Sequence, residues 1–140
     1  MFVLSAEPLD VAELRSRIAD GGHGAVLVFE GVARDNFEGR PVSGLEYEAY
    51  PQLCDPVMER IEAEMVERWP RARLIVAHRT GRLAIGDVSL VIALGTPHRG
   101  ACYEASRFVI EAIKERLPVW KKELYADGQA WKANQGPEAG

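Results

Sequence analysis

The segment between Pro97 and Pro118 restricts the fold of this chain more than any other part of the sequence. Its small and apolar side chains recur at intervals of three and four residues, which is the spacing of one face of an α-helix. This stripe, predicted to be buried, comprises Ala101, Ala105, Phe108, Ala112, Ile113 and Leu117. Proline disfavours helical geometry in the residue before it, so Pro118 predicts the end of the helix. The apolar run at residues 88–94, just before the helix, predicts a buried strand.

Two further helices are predicted from their terminal residues. Asp10 followed by Glu13 resembles a capping box, and Gly21-Gly22 favours the end of that first helix. Asp55-Pro56 favours the start of the second helix, because proline at the first helical position loses no hydrogen bond. The second helix has a stripe of apolar side chains before Pro70: Met58, Ile61, Met65 and Trp69.

The remaining apolar patterns predict strands at residues 25–29, 45–49, 74–77, 88–94 and 119–132. The first strand has a polar exit at Arg34, and the last contains a turn at Asp127-Gly128. Helices and hairpins mix without βαβ regularity, so we expect an α+β fold. We expect one domain spanning residues 1–140, with a frayed tail at residues 134–140.

Composition and charge exclude several functional classes. Residues 99–122 contain six basic and three acidic side chains, although the whole chain has a net charge of −4. One basic segment in an acidic protein favours a local anionic ligand over nucleic acid, which needs a broad positive field. The longest apolar run is too short to cross a bilayer, and Cys54 and Cys102 show no metal-binding spacing. We therefore expect a reduced, cytoplasmic protein.

His98-Arg99 precedes the long helix and is the first candidate binding site. Unpaired N–H groups and the helix dipole favour an anion there, and the arginine can bind phosphate in a bidentate way. The alternative is that Arg99 pairs with a surface carboxylate while His98 caps the turn.

Basic side chains elsewhere could provide an amine for catalysis. Lys114 lies on the helix face opposite the buried stripe, where it is either functional or simply solvated. Lys121 and Lys122 alternate on a strand, so only one of them can point inward. Burial beside other cations lowers the pKa of a lysine and makes its amine available for proton transfer or nucleophilic attack. Cys102 could carry sulfur, but packing is the favoured interpretation.

Five stretches of this sequence are similar to the large, catalytic subunit family of molybdopterin synthase: residues 28–34, 45–51, 78–87, 96–99 and 113–123. They occur in family order between about residue 25 and Trp131. The last stretch is the most specific, because it combines Lys114, Pro118 and the pair Trp120-Lys121.

The resemblance implies an α+β, hammerhead-like fold with antiparallel strands, about three helices and a small β-rich lobe. It also implies a homodimer within a 2+2 heterotetramer, whose small ubiquitin-like subunits carry sulfur as a C-terminal Gly-Gly thiocarboxylate. The tail of that partner would enter a pocket where cyclic pyranopterin monophosphate receives two sulfurs and becomes molybdopterin. No metal or cofactor is implied.

By the same resemblance, Lys114 is the central catalytic amine and Lys121 its helper. The implied substrate-binding residues are Val32, Ala33, Arg34, His98, Arg99, Lys114, Lys121, Lys122 and Glu123. Two departures leave the number of substrate-binding cations open: Val32 replaces a common lysine, and Gln135 lies where another arginine is frequent. A noncatalytic adaptor that binds a Gly-Gly tail is the alternative function. A small RNA-binding domain is disfavoured by the acidic balance.

Overall fold

The structure is a computed structural model that describes residues 1–125 and 128–133, with side chains described as far as Tyr125. The helices are α1 (Val11–Ser16), α2 (Pro51–Arg68) and α3 (Arg99–Arg116). The strands are β1 (Phe2–Ser5), β2 (Ala25–Val32), β3 (Asn36–Phe37), β4 (Arg40–Ala49), β5 (Arg73–Arg79), β6 (Gly81–Leu83), β7 (Val88–Thr96), β8 (Val119–Tyr125) and β9 (Gly128–Ala133). The predicted turn residue Asp127, the tail at 134–140 and Gln135 lie outside the described residues.

Two sheets organise the chain. The first has the strand order β1-β5-β7-β2, in which β1 runs parallel to β5 and the other pairs are antiparallel. The second has the order β3-β4-β8-β9, and β6 also pairs with β4. The prediction of an α+β fold with mainly antiparallel strands and three helices is confirmed.

Helices cover both faces of the first sheet. Side chains of α2 and α3 pack against Leu90, Ile92 and Leu94 of β7 on one face. On the other face, Leu14 and Ile18 from the region of α1 pack against Ile75, Ala77, Val91 and Ala93. Strands whose two faces are both buried are continuously apolar, which explains why β7 lacks the alternation seen in β4.

The start of α2 was predicted five residues too late. The helix begins at Pro51, with Tyr50 as its N-cap, and Pro56 lies inside it. Pro51 occupies the first helical position, where its missing N–H leaves no bond unmade, so it serves the role assigned to Pro56. Pro56 removes one hydrogen bond from the second turn, while the buried Cys54 and Met58 on either side hold the helix against the sheet.

The stripe of α3 is also rotated slightly from its predicted position. Cys102 and Val109 are fully buried, whereas Ala101 and Phe108 are half-buried. The Cys102 thiol lies 3.7 Å from the carbonyl oxygen of Leu94, so this residue packs α3 against β7. Its environment fits the packing interpretation of the thiol.

Leu94→Ala should lower the free energy of unfolding by about 2–5 kcal/mol. Leu94 is completely buried between β7 and the two long helices, so truncation leaves a cavity. The matched control is Leu53→Ala, because Leu53 is 46 % exposed, and it should cost less than about 1 kcal/mol. Urea unfolding of both variants measures the difference, and equal losses would contradict this account of the core.

Candidate active site

The end of α3 and the start of β8 bring two lysines together. Lys114 occupies the last turn of α3, and the backbone becomes extended at Leu117, just before Pro118. The chain then returns as β8, which pairs antiparallel with β4 and carries Lys121 opposite Tyr47. Pro118 thus lies at the point where the chain changes direction between α3 and β8. This change of direction brings the amines of Lys114 and Lys121 near one another.

Lys114 is half-buried and surrounded by other cations. Burial is the largest cause that lowers the pKa of Lys114 below the usual lysine value, and the charges of Lys121 and Arg34 lower it further. Arg34 follows the C-terminal end of β2. The three basic side chains from α3, β8 and the segment after β2 are thus close enough for their charges to interact, and we call the region between them the lysine pocket.

Lys121 is the inward-pointing member of the lysine pair. It is 5 % exposed, and its Nζ lies 3.8 Å from Glu123 Oε1 and 5.9 Å from the centroid of the Phe37 ring. Lys122 points to the opposite face of β8, where its Nζ lies 3.3 Å from Glu46 Oε2. Neighbouring residues of a strand point to opposite faces, so one of the two lysines must point inward and the other outward. The packing of β8 in the second sheet decides that the buried one is Lys121.

The exit of β2 forms the other wall of this region. Val32 and Arg34 line a small cavity together with Phe37, Lys121 and Glu123. Ala33 between them is buried, and its N–H donates to the carbonyl of Asp87 at 2.9 Å. Ala33 therefore fixes the backbone, while its two neighbours present side chains to the cavity.

His78 and Tyr47 also belong to this site, although neither was singled out from the sequence. His78 is buried on β5, its Nδ1 lies 2.8 Å from the carbonyl oxygen of Arg79, and its ring meets Tyr47 edge-on at 4.9 Å between centroids. Burial lowers the pKa of His78 to about 4, and the charge of Lys114 contributes to the same direction. Burial likewise raises the pKa of Tyr47. The available signal was His78's place in one of the stretches that resemble the family.

His98 and Arg99 lie at the opposite end of α3 from Lys114. Both are exposed, and the helix between Arg99 and Lys114 spans about 22 Å at 1.5 Å per residue. Their loop is held by the Gly24 N–H, which donates to the carbonyls of Thr96 and Pro97, both at 3.1 Å. Within one chain, the structure therefore separates these two residues from the lysine pocket.

Residues 1–125 and 128–133 contain no group of three side chains suited to hold a metal ion. Among the helices described, none has the length and apolarity needed to cross a bilayer.

A model of the MoaE protein family matches residues 4–116. The chain belongs to this family. A molybdopterin synthase catalytic subunit from Halalkalibacterium halodurans is 42% identical over 134 residues, which cover 96% of this chain and 86% of that protein. The resemblance inferred from the sequence is confirmed.

Solved structures of MoaE relatives share the fold. The crystal structure of molybdopterin synthase from Staphylococcus aureus superposes with a TM-score of 0.87 at 37% identity, covering 92% of this chain and 94% of that one. A complex of subunits 1 and 2 of molybdopterin-converting factor from Helicobacter pylori gives a TM-score of 0.79 at 23% identity, covering 93% and 88%. At that identity, the second comparison supports the fold alone.

Proposed function

We propose that this chain is the catalytic subunit of molybdopterin synthase and acts as a sulfurtransferase. It would convert cyclic pyranopterin monophosphate to molybdopterin by adding two sulfurs, each supplied by the C-terminal thiocarboxylate of one small ubiquitin-like subunit, which is left as a carboxylate. The observation that carries this proposal is the lysine pocket, where an amine with a lowered pKa lies beside two further cations. The catalytic subunits among its relatives, and the molybdopterin synthase structure from Staphylococcus aureus with the same fold, support it.

The two lysines have environments suited to different tasks. Lys114 has its pKa lowered by burial and by neighbouring cations, so more of its amine is unprotonated, and able to exchange protons or attack a carbonyl carbon, than that of an exposed lysine at the same pH. Lys121 lies beside the buried carboxylate of Glu123. An ammonium held next to a carboxylate can stabilise the anionic thiocarboxylate and its product. The two lysines would therefore have complementary roles.

The proposed substrate-binding residues come from three parts of the fold. Val32, Ala33 and Arg34 supply the exit of β2, and Lys114, Lys121, Lys122 and Glu123 supply the end of α3 and β8. His98 and Arg99 would bind the phosphate at the N-terminus of α3. Since these two residues lie about 22 Å along the helix from Lys114, we propose that they reach the lysine pocket of a second copy. A homodimer within a 2+2 heterotetramer satisfies this requirement.

We further propose that residues 1–140 form one domain that works in the cytoplasm. Cys54 and Cys102 are both free thiols buried in the core. Thiols that remain reduced are typical of proteins in reducing compartments.

A turnover experiment tests the proposed function. Purified chain, thiocarboxylated small subunit and cyclic pyranopterin monophosphate should yield molybdopterin, detected as its oxidised fluorescent derivative. Tight binding of the small subunit without product would instead indicate the noncatalytic adaptor. Product formation with a partner that ends in a carboxylate instead of a thiocarboxylate would contradict sulfur transfer from the thiocarboxylate.

The reaction rate should rise with pH through a midpoint below about 10.4, the ordinary lysine value. Neutral amine is the reactive form, and the lowered pKa of Lys114 moves its formation to lower pH. Single-turnover rates between pH 6 and 10, within the range where the fold is intact by circular dichroism, measure the midpoint. Lys114→Arg, which stays charged throughout, should remove this pH dependence, and an unchanged profile would show that another group titrates.

A further inference from the structure

Three consecutive inward positions of β8 form a continuous polar row. Lys121, Glu123 and Tyr125 alternate along the strand and share its buried face, with exposures of 5 %, 1 % and 7 %. Charged side chains are seldom buried to this extent unless their charges are compensated. We call these three residues the β8 row, and the burial of its charged side chains needs a physical explanation.

Direct contacts connect the three side chains. The Tyr125 hydroxyl donates a short hydrogen bond to Glu123 Oε2, and Glu123 Oε1 lies 3.8 Å from Lys121 Nζ. The carboxylate thus uses one oxygen for the phenol and the other for the ammonium. Burial and this hydrogen bond raise the pKa of Tyr125 to about 12, so the phenol remains a donor at any physiological pH.

The β3–β4 hairpin closes over the same row. The Arg40 guanidinium carbon lies 3.7 Å from the centroid of the Tyr125 ring, and Phe37 covers Lys121. Guanidinium groups stack favourably on aromatic faces, and the contact is strengthened when water is excluded. Arg40 therefore restrains the ring that holds Glu123.

We propose that Tyr125 and Glu123 are positioning residues, which together fix the Lys121 ammonium at its place in the lysine pocket, while Arg40 holds the tyrosine ring. This inference rests on the proposed function. Glu123 borders the cavity, but only 1 % of its surface is exposed and its two oxygens contact Tyr125 and Lys121, so its part in substrate binding would be to hold the lysine in place. Its effect on the reaction would accordingly pass through Lys121.

The position of Lys121 matters because its charge acts on Lys114. Among the described residues, the ionisable groups that interact with Lys114 include Lys121 of β8, Arg34 after β2 and His78 of β5, and the charge of Lys121 has a larger effect on Lys114 than that of Arg34. Glu123 offsets part of that charge at a distance set by the tyrosine. The hydrogen bond from Tyr125 weakens the interaction of the Glu123 carboxylate with the Lys121 ammonium. More of the ammonium charge therefore acts on Lys114.

Tyr125→Phe tests the proposal, since it removes the hydroxyl and keeps the ring under Arg40. Without the phenol, the carboxylate interacts more strongly with Lys121, and the potential at Lys114 becomes more negative. We expect the midpoint of Lys114 acetylation, measured by competitive labelling of the full chain with acetic anhydride, to rise by about half a pH unit or more. We also expect kcat to fall about threefold to tenfold, since small displacements of catalytic groups are costly.

Tyr50→Phe is the matched control. The Tyr50 hydroxyl also donates a hydrogen bond to a carboxylate two residues away, that of Glu48, but both groups are exposed. This variant should leave the labelling midpoint within about 0.3 pH units of that of the unmodified chain, and kcat within about twofold. Arg40→Gln, which loosens the tyrosine ring, should shift Lys114 in the same direction as Tyr125→Phe, by a smaller amount.

The labelling readout does not depend on turnover, so the two proposals can fail separately. Absence of sulfur transfer in the unmodified chain would overturn the proposed function, whereas the labelling midpoints would still measure the coupling. Equal midpoints and equal kcat for Tyr125→Phe and Tyr50→Phe would overturn the positioning role. A shift to lower pH would also overturn it, because the proposed charge balance requires the opposite sign.

Discussion

Lys114→Ala is expected to reduce the rate of sulfur transfer by about 10²–10⁴-fold, the usual loss when a positioned proton-transfer group is removed, and by more if the amine acts as a nucleophile. Lys114 is the pocket amine whose pKa is lowered by burial and by two neighbouring cations. The fold should survive, because the side chain is only half-buried at the end of α3. Single-turnover fluorescence of the oxidised product gives the rate.

Arg15→Ala is the control for the lost charge. Arg15 is exposed on α1, on the far side of the first sheet from α3, so its removal changes the net charge equally without touching the pocket. Partner binding by calorimetry should be similar for the unmodified chain and both variants. Lys114→Ala activity within about threefold of the unmodified chain would refute the catalytic assignment.

Mixing two inactive variants should restore about one quarter of the unmodified activity, if phosphate is bound by His98 and Arg99 of a second copy. Lys114→Ala and Arg99→Ala each damage both sites of their own homodimer. In a mixed dimer, one site receives both altered residues and the other receives neither. Random exchange produces mixed dimers in half of the population, each with one intact site out of two.

The alternative geometry predicts a different result. If one chain supplied both residues to its own pocket, every site in the mixed dimer would carry one alteration, and activity would stay at the level of the parent variants. Differently tagged chains, refolded together and purified through both tags, isolate the mixed dimer, for which the expected activity is about one half rather than the one quarter of the unpurified mixture. High activity of the Arg99→Ala variant by itself would show that Arg99 does not contribute to the active site.

Local sequence patterns were sufficient for most of the fold. The capping residue Asp10 accepts a hydrogen bond from the Glu13 N–H at 3.1 Å, and the long helix lies between the two prolines that predicted it. These features depend on short-range rules of helix geometry. The apolar runs at residues 74–77 and 88–94 were likewise predicted as strands, and they lie in β5 and β7, which pair antiparallel.

Elements that depend on distant partners were missed. Strand β1 has four residues and no clear alternation, and it exists because it pairs in parallel with β5, more than seventy residues away. Strand β6 owes its place to β4 in the same way. A short strand has too little local signal of its own, since its hydrogen bonds are supplied by the neighbouring strand.

By itself, the sequence determined the family, the helices and the identity of the basic residues, because these follow from residue order and local periodicity. Only the tertiary structure decided how deeply those residues are buried and which charges lie beside them.

Helical periodicity placed Lys114 on the polar face of α3, and in the folded chain β8 and the segment after β2 bring other cations close to it. Strand alternation allowed either Lys121 or Lys122 inside, and pairing with β4 chose Lys121. The length of α3 separated Arg99 from Lys114 despite their common basic segment. Electrostatic interactions depend on distance and burial in space, and neither is encoded in the local pattern.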